Sequence, residues 1–265
     1  MTEGKYVQAN GLDIYYLEYG AGQPLILLHG ATDTHKLWSS FIPELSKIFR
    51  VFTPDSRGHG RTLNPVGELN YQSLADDLEA FIQELDLKKP FIFGYSDGGQ
   101  AALDFGMRYP DIAGALVIGG AWYRFSTEYQ EALIEVGFIG AGEIDFHIYE
   151  KFAPADWRER MGKYHPNPDP DYPEVLLKNL AALFWTPLNY DKEDFLKIQA
   201  PTLILAGEQD ELVPPEESRE MAALIPGAEL ALIPGATHTQ VIIPGGECLP
   251  VVIDFLLRQL DQFPL

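Results

Sequence analysis

The chain has 265 residues, 46% of them hydrophobic and 22% charged, a globular composition long enough for one sizeable core, and its formal charge is −20. Such acidity argues against nucleic acid or an anionic membrane surface as partner, and leaves a small molecule as the expected substrate. A single cysteine, Cys248, rules out an intrachain disulfide or a cysteine-built metal centre, so neither metal nor cofactor is expected.

The first residues, Met1 to Lys5, lack the basic and apolar regions of a signal peptide, and no apolar stretch approaches eighteen residues. A cytoplasmic location is expected. Residues 5–19 alternate around Gly11 and read as an antiparallel hairpin. Pro24 to Leu28 is a short continuous apolar run, as in a strand buried on both faces, and it runs into His29-Gly30-Ala31-Thr32. Helical spacing of Leu37, Trp38, Phe41, Ile42, Leu45 and Ile48 predicts an amphipathic helix that Pro43 restarts. Arg50 to Pro54 is the next strand. It enters a D-x-R-G-H-G loop in which Asp55 and Arg57 are expected to bond the loop together, a structural role shared with His59. A second amphipathic helix is expected from Tyr71 to Leu87.

Phe91 to Ala102 is the most informative stretch. An apolar strand meets Gly94-Tyr95-Ser96-Asp97-Gly98-Gly99 and becomes a helix. A turn this sharp lifts Ser96 out of the sheet and tolerates only small residues two positions either side, where Gly94 and Gly98 stand. The N–H of Asp97 opens the following helix and is an unpaired donor for an oxyanion. After a further strand, Ala115 to Gly120, residues 122–196 show no buried-strand run. Helices are expected there near Glu128–Phe138, Ile144–Phe152, Asp156–Tyr164 and Pro173–Trp185, with Trp122 and Trp185 as candidate substrate contacts.

The strand pattern resumes at Pro201 to Ala206 and again at Glu229 to Ile233, and a last helix runs from Pro250 to Leu260. The fold is therefore read as α/β: a mostly parallel, doubly wound sheet with an N-terminal hairpin. Residues 1–121 and 197–265 form its core, and 122–196 a helical cap. Serine needs an imidazole base and a carboxylate to orient it. Ser96, Asp210 and His238 each follow an expected strand, at the edge where open parallel sheets bind ligands. Glu208 and Glu211 compete with Asp210 for the role of acid.

These loops, G-Y-S-D-G-G, G-E-Q-D, G-A-T-H and the H-G and D-x-R-G-H-G segments, resemble the α/β-hydrolase superfamily over nearly the whole chain outside 122–196. The elbow is most similar to the valacyclovir-hydrolase and biphenyl-hydrolase-like group and to small bacterial esterases. The resemblance implies a serine hydrolase of small carboxylic esters with the triad Ser96, His238 and Asp210. Lactone or C–C bond hydrolysis, cofactor-free perhydrolysis, or ligand sensing with little turnover are the alternatives. It implies a second oxyanion donor at Ala31, or else Thr32, with His29 pinning that loop. It also implies that Asp97 binds the α-amino group of amino-acid esters.

Overall fold

The strands alternate between two cores, which explains their nearly unbroken apolar sequence. Leu25, Leu27, Phe91, Phe93, Val117 and Leu205 point into one buried cluster, while Ile26, Leu28, Ile92, Ile118 and Ile204 point into the other. The computed structural model describes residues 3–64, 67, 69–188, 190–243 and 247–260.

The hairpin strands β1 (Lys5–Ala9) and β2 (Leu12–Tyr19) pair antiparallel across Asn10 and Gly11, both at positive φ, the geometry a two-residue hairpin turn requires. β3 (Pro24–Leu28) follows. The helix expected next is instead a 3-10 turn, His35–Ser40, and a single α-turn, α1 (Ile42–Leu45), with Pro43 in its first turn. Pro43 has no N–H to extend a helix from upstream, so the restart falls there and the segment stays short. Then come β4 (Arg50–Pro54), α2 (Tyr71–Glu84), β5 (Phe91–Tyr95), α3 (Asp97–Arg108) and β6 (Ala115–Gly119).

Between β6 and the next sheet strand lie α4 (Thr127–Glu135), a small ribbon of β7 (Phe138–Gly140) and β8 (Glu143–Ile144), α5 (Phe146–Phe152), α6 (Trp157–Tyr164), α7 (Tyr172–Phe184) and α8 (Lys192–Phe195). The helix expected to reach Phe138 stops at Glu135. Gly137, at φ +95°, turns the chain into the ribbon, where a Cβ would stand 2.8 Å from the Tyr149 nitrogen. β9 (Thr202–Gly207), α9 (Pro215–Leu224), β10 (Glu229–Ile233) and α10 (Leu249–Leu260) complete the order. The sequence reading had no α9; its apolar spacing is weak, and its start is marked only by Pro215 with Glu216 and Glu217 in the first turn.

The eight sheet strands described lie in the order β1-β2-β4-β3-β5-β6-β9-β10, parallel from β4 to β10 and antiparallel at the hairpin. The chain leaves β3 for β4 on one side and later returns to pair β5 on the other. Loops after β3 and β5 thus part at the C-terminal edge of the sheet, opening a crevice between them. Among the described residues, no helix is long and apolar enough to cross a membrane.

Candidate active site

Ser96 leaves β5 at φ 55° and ψ −120°, a sparsely populated conformation that costs on the order of 1–3 kcal/mol and persists only where its surroundings enforce it. Those surroundings are backbone. A Cβ added to Gly94 would stand 1.9 Å from the Gly98 carbonyl oxygen, one on Gly98 2.2 Å from that of Leu28, and one on Gly99 2.3 Å from that of Gly119. The Ser96 N–H donates to the Gly119 carbonyl at 2.8 Å, tying the turn to β6. The hydroxyl is thereby raised above the sheet edge, half-buried, at the start of α3.

His238, after β10, brings Nε2 to 3.1 Å from Ser96 Oγ and Nδ1 to 2.8 Å from Asp210 Oδ2. Asp210, after β9, is held in turn: its Oδ1 accepts the Leu212 and Val213 N–H groups at 3.0 and 2.8 Å. The other two acids near it serve backbone. Glu211 Oε2 accepts the His238 N–H at 3.0 Å, and Glu208 Oε2 accepts that of Gly235 at 3.0 Å. A contact that sequence reasoning missed holds the same loop, since the Tyr95 hydroxyl donates to the His238 carbonyl at 2.6 Å. The aromatic residue directly before Ser96 was its signal.

A second loop closes on the serine. Gly30 packs so tightly that a Cβ there would lie 3.1 Å from Ser96 Cβ. His29 is buried, accepts the Ser56 N–H on Nε2 at 3.0 Å and donates from Nδ1 to the Gly30 carbonyl at 2.8 Å, which pins this loop to the one after β4. The Asp97 N–H, first in α3, has no preceding turn to receive it. Asp55 and Arg57 do not pair with each other. Asp55 accepts from the N–H and ring of His35 at 2.8 Å each and from the Arg61 N–H at 2.9 Å, whereas Arg57 makes a two-pronged pair with Asp77 of α2, both bonds 2.6 Å. Burial alone would raise the Asp55 carboxyl, but the His35 hydrogen bonds and the nearby His29 and His35 rings hold it below the ordinary value.

Ser96 and His238 open into a cavity of about 320 Å³. Its wall includes Trp122, Tyr129, Leu133, Phe138 and Phe184 from the segment between β6 and β9, with Leu212 and Ile242 opposite. Trp122 is set there by Gln100 of α3, whose side-chain oxygen accepts its N–H at 3.2 Å. Trp185 does not line this cavity. Its indole N–H donates to the Phe138 carbonyl at 2.9 Å and its ring packs on Phe125, so it belongs to the packing behind the wall. Among the described residues, no group of three or more His, Cys, Asp or Glu side chains is placed to hold a metal ion.

Asp97 also departs from expectation. Its carboxyl is off the wall of the larger cavity and lines a separate one of about 40 Å³ beside Leu69, Leu74 and Leu183. The Tyr71 hydroxyl donates to Oδ1 at 2.8 Å, and Oδ2 has no partner among the described residues. Burial pushes this carboxyl up to about 7, against the smaller opposing effects of the Tyr71 bond and nearby His238. A proton therefore neutralises this carboxyl below about pH 7, with no substrate cation needed there. The folded state keeps a proton that the unfolded chain releases near 3.8, so the neutral carboxyl's contribution is full below pH ~4 and is lost as pH rises through about 7. Asp97→Asn cannot ionise. Its unfolding free energy relative to wild type is expected to rise between pH 5 and pH 8, by on the order of 1–4 kcal/mol in denaturant titrations. An offset equal at both pH values would reject this account.

Residues 25–244 match the alpha/beta hydrolase family. The chain is 28% identical over 97% of its length, and 92% of the relative's, to the 2-hydroxy-6-oxo-6-(2'-aminophenyl)hexa-2,4-dienoic acid hydrolase of Metapseudomonas resinovorans. It is also 28% identical to the 2-hydroxy-6-oxo-2,4-heptadienoate hydrolase of Pseudomonas putida, over 97% of each chain. A thermophilic esterase from Thermogutta terrifontis superimposes with a TM-score of 0.73 at 25% identity, covering 98% of this chain and 99% of that one.

Proposed function

The chain belongs to the alpha/beta hydrolase family and is a hydrolase, and from that premise we propose that it cleaves small, uncharged carboxylic esters through an acyl-enzyme on Ser96. The observation that carries the reading is the contact chain from Ser96 Oγ through the His238 ring to Asp210, at 3.1 and 2.8 Å. Asp210 Oδ2 accepts from Nδ1–H, which leaves Nε2 free to take the Ser96 proton as Oγ attacks the ester carbonyl. Backbone N–H groups of Ala31 and Asp97 receive the oxyanion. His238 then returns the proton to the departing alcohol, activates water against the acyl-enzyme and regenerates Ser96. Residues 122–196 act as a cap that supplies Trp122 and keeps the site dry.

Specificity for an uncharged ester rests on the wall of the cavity. Among the described residues that line it there is no arginine or lysine, and its further carboxyl, Asp33, is raised by burial. The dienoates named for the two relatives carry a carboxylate, which would meet no cationic partner here. A panel of short neutral aryl and alkyl esters, lactones and dienoates tests this. Esters are expected to give kcat/KM at least about 100-fold above the dienoates, the cost of burying one unpaired charge being several kcal/mol. A dienoate or lactone turned over faster than every ester would replace the ester reading while leaving the same catalytic residues in place.

A further inference from the structure

His165 stands just after α6, far from Ser96 in sequence, yet it reaches the loop beside the nucleophile. The ring is 1% exposed and both its nitrogens are engaged: Nδ1 accepts the Gly60 N–H at 2.8 Å and Nε2 meets the Thr32 carbonyl at 3.0 Å. Since Nδ1 must accept, the single proton sits on Nε2 and points at Thr32. Burial keeps the ring in this neutral form, pushing it down to about 4.

Thr32 is the unusual partner. It adopts φ +56°, a left-handed conformation that is a genuine outlier for a β-branched residue. Nothing covalent enforces it. A peptide whose orientation depends on such a residue needs an external tether, and the Thr32 carbonyl has one in His165. Two more contacts bring the same region onto these loops: the Tyr172 hydroxyl donates to the Gly58 carbonyl at 2.6 Å, and Lys36 lies 4.5 Å above the Tyr164 ring. The ring of His165 also packs on His59, which packs on His29, the residue that pins Gly30.

We infer that His165 is a positioning residue for the oxyanion loop: by holding the Thr32 carbonyl it fixes the Thr32–Asp33 peptide and so restrains Thr32 in its left-handed conformation, which sets the direction of the preceding backbone that carries the oxyanion donor, and it makes that geometry depend on the docking of residues 122–196. The inference rests on the proposed oxyanion role of this loop. Its consequence is that the segment carrying the substrate wall also carries one of the groups that align the catalytic backbone, so a displaced segment would leave Ser96 and His238 paired but the oxyanion donor misaimed.

Two single-armed variants separate alignment from general support. His165→Gln can still extend an N–H to Thr32 but gives up the acceptor for Gly60; His165→Asn can keep the acceptor near Gly60 but falls short of Thr32. The readouts are kcat and KM for an ester and, independently of whether esters are the substrate, the rate at which a fluorophosphonate modifies Ser96. His165→Asn is expected to lower kcat and the phosphonylation rate about 10- to 100-fold with KM within about twofold, because small misplacements of an oxyanion donor cost this much. His165→Gln is expected to stay within about threefold of wild type, with both variants folded by circular dichroism. Unchanged phosphonylation in His165→Asn, equal losses in both variants, or an unfolded His165→Asn would each overturn the inference. Wild-type protein that reacts with the phosphonate but hydrolyses no ester would instead count against the ester reading alone.

Discussion

Ser96→Ala is expected to lower ester turnover by about 10⁶-fold, the loss seen when the nucleophile of a comparable serine triad is removed, while the protein remains folded. The hydroxyl makes no cap to α3, so its loss costs the helix nothing, and alanine tolerates φ 55° about as poorly as serine does. The turn is imposed by Gly94, Gly98 and Gly99 against neighbouring carbonyls, none of which changes. What disappears is the only atom within hydrogen-bond distance of His238 Nε2 among the described side chains. Residual activity near 10³-fold over water is still expected, from the oxyanion donors and binding alone. The check is twofold. A fluorophosphonate should label wild-type protein at Ser96 and leave the variant unlabelled, and denaturation midpoints should agree. Labelling at another serine, or turnover within tenfold of wild type, would remove Ser96 from the reaction.

The parts of this molecule that could be read from its sequence are those in which local chemistry and tertiary demand coincide. Strands buried on both faces, such as Phe91–Tyr95 and the Leu203–Ala206 stretch of β9, are almost wholly apolar because both cores need side chains from them. Ser96, Asp210 and His238 stand out for a related reason: each follows a strand end, and glycines beside Ser96 and before Asp210 let loop backbones approach, as at Gly207, where a Cβ would lie 2.2 Å from the Ala236 carbonyl oxygen. Pairings between distant elements left no such trace. Arg57 chooses Asp77 of α2 over its neighbour Asp55, and nothing in the D-x-R-G-H-G loop specifies which. Trp122 and Trp185 look alike as sequence, and only the approach of Gln100 to one and of the Phe138 carbonyl to the other separates cavity wall from packing. Asp97 shows the same limit in electrostatics. Its position beside Ser96 was legible, but its burial against Tyr71, which decides its charge, was not.

That distinction between position and environment bears most heavily on the acid of the proposed triad, where three carboxylates lie within four residues. Asp210→Asn is expected to lower kcat by about 10⁴-fold with little change in KM, by analogy with the corresponding protease substitution. The size of the effect follows from how the carboxylate is fixed. Oδ1 accepts two N–H groups, from Leu212 and Val213, so in the amide the oxygen must remain on that side and the NH₂ is forced toward His238. Facing a donor, Nδ1 must become an acceptor. The ring proton then moves to Nε2, which can no longer take the proton of Ser96. Nor can the amide stabilise the imidazolium that forms during attack. Glu211→Gln and Glu208→Gln are expected to stay within about tenfold of wild type, because their carboxylates accept backbone N–H groups of the histidine loop and an amide oxygen can do the same. Steady-state kinetics on the three variants decide the matter, with the pH profile as a second reading: Asp210→Asn should recover activity as pH rises and hydroxide begins to replace the disabled base. A mild Asp210→Asn beside a crippled Glu211→Gln would transfer the role to the neighbouring residue and would require the loop to rearrange in the working enzyme.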